Sequence, residues 1–276
     1  MARAKQMAYE LALPGPHTVL RGELGLVGLP GLIFTPRSGQ DLPAIAFGHG
    51  WIQPPGRYHG LLRHLASHGI VVAAPATHTG PLGSHRLFAA DLLNALDISV
   101  RARLGDGQVR VSANRLGLAG HSFGGGSAVL AAATDSRIKA VATLAAAESR
   151  PSAAEAARYC GMPGLHLTAA NDLIAPAVAN AAIIARNWAG PVQVRELAKA
   201  GHLGFTEGRH WSQLLLPGKG EHRTQRMSRA LLTAFFLKHL TGSSKYDDML
   251  ESDIKGAAID TEWIPAGQPR SMKEPV

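Results

Sequence analysis

The sequence predicts an α/β fold with a mostly parallel central sheet and helices on both faces. Three observations carry this. Short apolar, β-branched runs recur along the chain. Segments with apolar residues every three or four positions lie between them. Glycine-rich or polar breaks mark the junctions.

Residues 1–20 contain scattered Pro and Gly and suggest no helix. Leu24 to Thr35, apolar and punctuated by glycine, suggests one or two antiparallel strands, and Arg37 to Asp41 is a turn by composition. Pro43 to Phe47 reads as a buried strand ended by Gly48-His49-Gly50-Trp51. Leu61, Leu62 and Leu65 fall at helical spacing within 58–68, and Ile70 to Ala74 is the next strand. Ser84 is placed to cap a long helix whose Phe88, Leu92, Leu96 and Val100 share one face. Arg115 to Ala119 is a strand leading into Gly120-His121-Ser122-Phe123-Gly124-Gly125-Gly126 and an alanine-rich helix. Strands are expected at 138–144, 162–168 and 191–197, and helices at 175–188 and 222–240. One domain is expected over 1–244. Residues 245–276 hold four Lys or Arg against seven Asp or Glu, a net of −3, and read as an acidic peripheral tail.

Composition narrows the function classes. Apolar residues at 46% and charged residues at 17% describe a globular chain. The net charge is +8, so the body before the tail carries +11. A basic surface can attract nucleic acid, but aromatics are only 5% and no basic run interleaves with them. No nucleic-acid or membrane partner is therefore expected. Cys160 is the single cysteine, which excludes an intrachain disulfide. The N-terminus lacks an apolar signal core, and no stretch has the length of a membrane span, so a cytoplasmic location is expected. The histidine spacings, His49, His59, His78 and His85 included, match no zinc pattern, and no metal or cofactor is expected.

Parallel sheets bind ligands beyond the C-terminal ends of their strands, so the residues just past each strand are the candidates. They are Trp51 after 43–47, Ser122 after 115–119, Asp172 after 162–168 and His202 after 191–197. In G-x-S-x-G between a strand and a helix, a tight turn presents the serine hydroxyl, and glycines at 120 and 124 leave the elbow uncrowded. A serine hydroxyl needs a base in hydrogen-bond reach, and the base needs an orienting carboxylate. His202 is the expected base and Asp172 the orienter. Backbone N–H groups of Trp51 and Phe123 are the expected oxyanion donors. His49 is expected to hydrogen-bond or pack within its own loop. Trp51, His121 and Glu148 are the candidate substrate contacts, with a structural role for His121 the alternative.

These residues resemble the α/β-hydrolase superfamily, within it the branch of bacterial cutinases, polyester hydrolases and dienelactone-hydrolase-like esterases. The resemblance rests on Phe47 to Trp51, His64 to Gly69, Gly120 to Gly126, Asn171 to Pro176 and Gly201-His202. It implies an α/β-hydrolase fold, and a serine esterase working through an acyl-enzyme, with Ser122, Asp172 and His202 as triad. A thioesterase, lactonase or amidase with the same triad, or a non-catalytic ligand-binding relative, are the alternatives. Dienelactone hydrolases proper use cysteine where this chain has Ser122. Secreted polyester hydrolases carry a tryptophan where this chain reads Leu144 to Glu148, and the short 148–162 segment implies little or no cap domain. A small soluble ester, rather than a polymer, is therefore the expected substrate.

Overall fold

The computed structural model describes residues 2–263. Nine strands form one sheet: β1 (Val19–Glu23), β2 (Gly31–Pro36), β3 (Gly39–Gly48), β4 (Val71–Pro75), β5 (Val109–His121), β6 (Ile138–Leu144), β7 (Gly164–Ala169), β8 (Val192–Leu197) and β9 (Ala257–Asp260). Their spatial order is β1-β2-β4-β3-β5-β6-β7-β8-β9. Strands β3 to β8 run parallel, while β1, β2 and β9 form antiparallel edges. This is the α/β-hydrolase fold.

Alternation along the strands builds two cores. In β3, Ile45 and Phe47 face one side and Ala44 and Ala46 the other; Val72 and Ala74 of β4 alternate likewise with Val71 and Ala73. The first core is closed by α1 (Ala2–Leu11), α2 (His59–Ser67), α7 (His222–Thr241) and α8 (Asp247–Glu251). The second is closed by α3 (His85–Arg101), α4 (Phe123–Ala132), α5 (Ala153–Ala157) and α6 (Ala181–Arg186). Burial on both faces explains why the central strands read as continuous apolar runs rather than as alternating ones. Among the described residues no helix is long and apolar enough to cross a membrane.

Three elements depart from the sequence reading. Helix α1 occupies a stretch where none was expected. Ala4, Ala8 and Leu11 are its buried stripe, and it packs on α7 and α8. The helix expected over 175–188 shrinks to α6, because Asp172 Oδ1 takes the N–H groups of Ile174 and Ala175 and holds that stretch in a turn. Residues 245–263, expected in a peripheral tail, supply α8 and the edge strand β9. Arg195 fastens them: fully buried, its guanidinium donates to the carbonyls of Leu250, Ser252 and Ala257 at 2.7, 3.1 and 2.9 Å. The rest of the expected tail, 264–276, lies outside the described residues.

Candidate active site

The strand order reverses between β3 and β5, since β4 lies outward of β3 and β6 outward of β5. A crevice opens at such a switch point, beyond the carboxyl ends of the strands. Gly48 of β3 is in register with Gly120 of β5, so the loop bearing Trp51 and the elbow bearing Ser122 leave the sheet side by side. Ala169 of β7 is likewise in register with Leu197 of β8, and the N–H of Asn171 donates to the Ala200 carbonyl at 2.8 Å, which pairs the loops of Asp172 and His202.

Ser122 sits at φ 53°, ψ −117° between β5 and α4. A non-glycine residue there stores about 1–3 kcal/mol of strain and must be held by its surroundings. Its N–H donates to the Leu144 carbonyl at 2.9 Å, and its carbonyl takes the N–H groups of Gly125, Gly126 and Ala147. The elbow also needs close backbone approach. A Cβ on Gly124 would lie 2.2 Å from the Gly48 carbonyl, and one on Gly120 would lie 2.2 Å from the Gly124 oxygen.

The structure brings Ser122, His202 and Asp172 into one line. Ser122 Oγ–H lies 2.8 Å from His202 Nε2, and His202 Nδ1–H donates to Asp172 Oδ2 at 2.7 Å. All three side chains are buried. Burial opposes ionisation of Asp172, but the bonds from His202, Ala175 and Ile174 outweigh it and hold the carboxyl below its usual range. With the carboxylate on Nδ1, the imidazole carries its proton there and turns a lone pair on Nε2 toward the serine. The Glu221 carboxylate takes the Gly201 N–H at 3.0 Å and fixes the His202 loop from below. Among the described residues, the N–H groups of Trp51 and Phe123 donate to no protein acceptor.

The cavity at Ser122 is about 20 Å³, room for about one water. Gly50, Trp51, Gln53, Ile174, Leu203 and Leu216 line it along with His121, Ser122 and His202. Several apolar residues at the cavity, or next to its lining residues in the chain, are exposed. Trp51 is 39% exposed, Leu173 stands beside Ile174, and Leu214 and Leu215 stand beside Leu216. Gln53 and Arg57 help to tie down the 207–221 segment that brings Leu216 here. Gln53 donates to Ser212 Oγ at 2.7 Å, and the Arg57 guanidinium reaches the carbonyls of Glu207 and Gly208 and, at 2.9 Å, Thr206 Oγ1.

Two of the expected substrate contacts have protein partners of their own. The Glu148 carboxylate caps α5, taking the N–H groups of Ala153 at 2.7 Å and Ala154 at 3.2 Å, so it faces a helix rather than the serine. His121 is fully buried with both ring nitrogens in protein hydrogen bonds; it walls the cavity and has no free polar atom to offer. Trp51 does stand at the mouth, its indole N–H donating to the Pro81 carbonyl at 3.0 Å. His49 lies with Nδ1 2.9 Å from the Gly50 carbonyl in its own loop and Nε2 2.7 Å from the Thr77 carbonyl in the loop after β4. The His85 ring lies against Phe123, tilted by 39° with centroids 4.1 Å apart, with burial lowering its pKa to about 4, and His78 lies 3.5 Å from Asp91. Sequence reasoning did not find Gln53, Ile174 or Leu216 as neighbours of the serine.

A sequence model of the PETase family, described as PET hydrolase-like, matches residues 9–208. That span includes Trp51, Ser122, Phe123, Asp172 and His202 and stops before α7. Cutinase est1 of Thermobifida alba is 31% identical over 137 residues, 48% of this chain and 46% of the relative. The match thus spans about half the length of that cutinase.

Proposed function

This chain belongs to the PET hydrolase-like family, and on that premise we propose that it is a serine hydrolase cleaving carboxylic esters through an acyl-enzyme intermediate. One observation carries the reading: the unbroken hydrogen-bonded line from Ser122 through His202 to Asp172. As Ser122 Oγ attacks the ester carbonyl carbon, its proton passes to His202 Nε2. The imidazolium so formed is stabilised by Asp172, which stays ionised throughout. The carbonyl oxygen becomes an oxyanion and takes the N–H groups of Trp51 and Phe123, each worth on the order of 100-fold or more in rate. Collapse returns the proton from Nε2 to the departing alkoxide, and the alcohol leaves. Water, deprotonated by the same nitrogen, attacks the acyl carbon, and Ser122 is released with the acid.

The names of the matched family and relative, a PET hydrolase and a cutinase, support an ester over a thioester, lactone or amide. The size of the cavity supports a further statement. It admits the reacting carbonyl and little else, so the acyl and alcohol parts lie outward among Trp51, Ile174 and Leu216. That rim suits apolar esters. The test is covalent: a fluorophosphonate should label Ser122 and abolish turnover of a p-nitrophenyl ester. Full turnover by Ser122→Ala would remove the proposal.

A further inference from the structure

A second hydrogen-bonded line lies beneath the first, and none of it is surface. His121 Nε2 is 2.9 Å from the backbone carbonyl of His202. A carbonyl only accepts, so Nε2 carries the proton. Burial pushes the His121 pKa well below its ordinary value, so the ring is neutral and Nδ1 is a bare lone pair. Tyr58 Oη, 2.8 Å away, must therefore donate to it. Burial likewise raises the Tyr58 pKa, so the phenol keeps its proton. The same oxygen accepts the N–H of Gly50 at 3.0 Å. Every donor is thus assigned. Gly50 N–H gives to Tyr58, Tyr58 O–H to His121, and His121 N–H to the carbonyl of His202.

The line joins the loops that must keep their distance for the reaction to run. Gly50 precedes Trp51, the proposed oxyanion donor. His121 precedes Ser122. His202 is the proposed base. Tyr58 and His121 are fully buried, packed with Phe47, Phe205 and the ring of His202. The fit is close enough to fix the residue at 50, where a Cβ would lie 2.8 Å from His121 Nδ1 and 3.1 Å from Tyr58 Oη.

We propose that Tyr58 is a positioning residue for ester hydrolysis, holding the Trp51 loop and the His202 loop in mutual register through His121. The proposal rests on the esterase reading above. A buried donor and acceptor left without partners relax the geometry they fixed, and the expected effect of Tyr58→Phe is a fall in kcat of about tenfold. KM should stay within about twofold, because the rim that binds substrate is untouched, and the rate of fluorophosphonate labelling should fall with kcat.

Leu62→Ala, in the same apolar core but outside the line, should lower Tm at least as much and leave kcat within about twofold. His121→Gln, whose amide can offer an N–H to the His202 carbonyl and an oxygen to Tyr58, should keep several-fold more kcat than His121→Leu. That pair also decides the matter if Tyr58→Phe proves too unstable to assay. Wild-type kcat in Tyr58→Phe, an equal loss of kcat in Leu62→Ala, or equal activity in the two His121 variants would overturn the positioning role while Ser122→Ala remains inactive. Turnover by Ser122→Ala would overturn the esterase reading itself.

Discussion

Replacing Asp172 by asparagine isolates one feature of the site, the side of the imidazole that carries the proton. The carboxylate has two oxygens with different partners. Oδ1 takes the N–H groups of Ile174 and Ala175 at 2.9 and 2.8 Å, and Oδ2 takes His202 Nδ1–H at 2.7 Å. In the Asp172→Asn variant the amide oxygen must stay with the two backbone donors, because an NH₂ group there would face two N–H groups. The NH₂ then falls opposite His202 Nδ1. It can only donate, so Nδ1 becomes the acceptor and the ring proton moves to Nε2. Nε2–H now points at Ser122 Oγ and cannot take its proton. In a serine hydrolase this switch of tautomer lowers kcat on the order of 10⁴-fold, about 5 kcal/mol of barrier. The assay is p-nitrophenyl butyrate hydrolysis, with a fluorophosphonate titration to count sites and circular dichroism to show that the fold persists. A folded Asp172→Asn enzyme within tenfold of wild-type kcat would contradict this.

Two further expectations concern stability. His64 and His166 are buried, each with an unpartnered Nε2, and burial lowers their pKa values to about 3 and about 4. Folded values below the unfolded 6.5 mean that their contribution is complete above pH 6.5 and is lost as the pH falls toward those values; each would cost up to about 2 kcal/mol by pH 5. Urea midpoints should fall from pH 7 to pH 5, less steeply in His64→Leu; equal midpoints at both pH values would contradict this. Gly124→Ala puts a methyl group 2.2 Å from backbone that cannot give way, and should lose activity and Tm together; a Tm within a degree or two of wild type would show that the elbow tolerates it.

The three residues of the proposed triad were legible because each announces itself locally. Ser122 lies in a strand–turn–helix motif, and Asp172 and His202 lie just past apolar runs that only a buried parallel strand produces. Adjacency follows from the order of the strands in the sheet, whose parallel character the alternation of strands and helices already implies. What was not legible depends on contacts between distant segments. Tyr58 meets His121 across 63 residues, through the β3–β5 pairing, and nothing near position 58 signals it. Glu148 follows a strand as a site residue would, and a charge there reads the same whether it faces substrate or caps a helix. Residues 203–221 have no period at all, so the approach of Leu216 to the serine had no sequence signal. Helix α1 is a different case. Its Ala4, Ala8 and Leu11 stripe was present but built from small residues, and the Pro and Gly that follow obscured it. Strand β9 has four residues, too short for its pairing with β8 to show in the pattern.

The central claim is that Ser122 forms the covalent intermediate. Its most direct test is the intact mass of the protein after reaction with a fluorophosphonate, followed by peptide mapping. One adduct per chain is expected, on Ser122, with none on Ser122→Ala. An adduct on another residue, or hydrolysis of a p-nitrophenyl ester that persists after Ser122 is fully blocked, would contradict it.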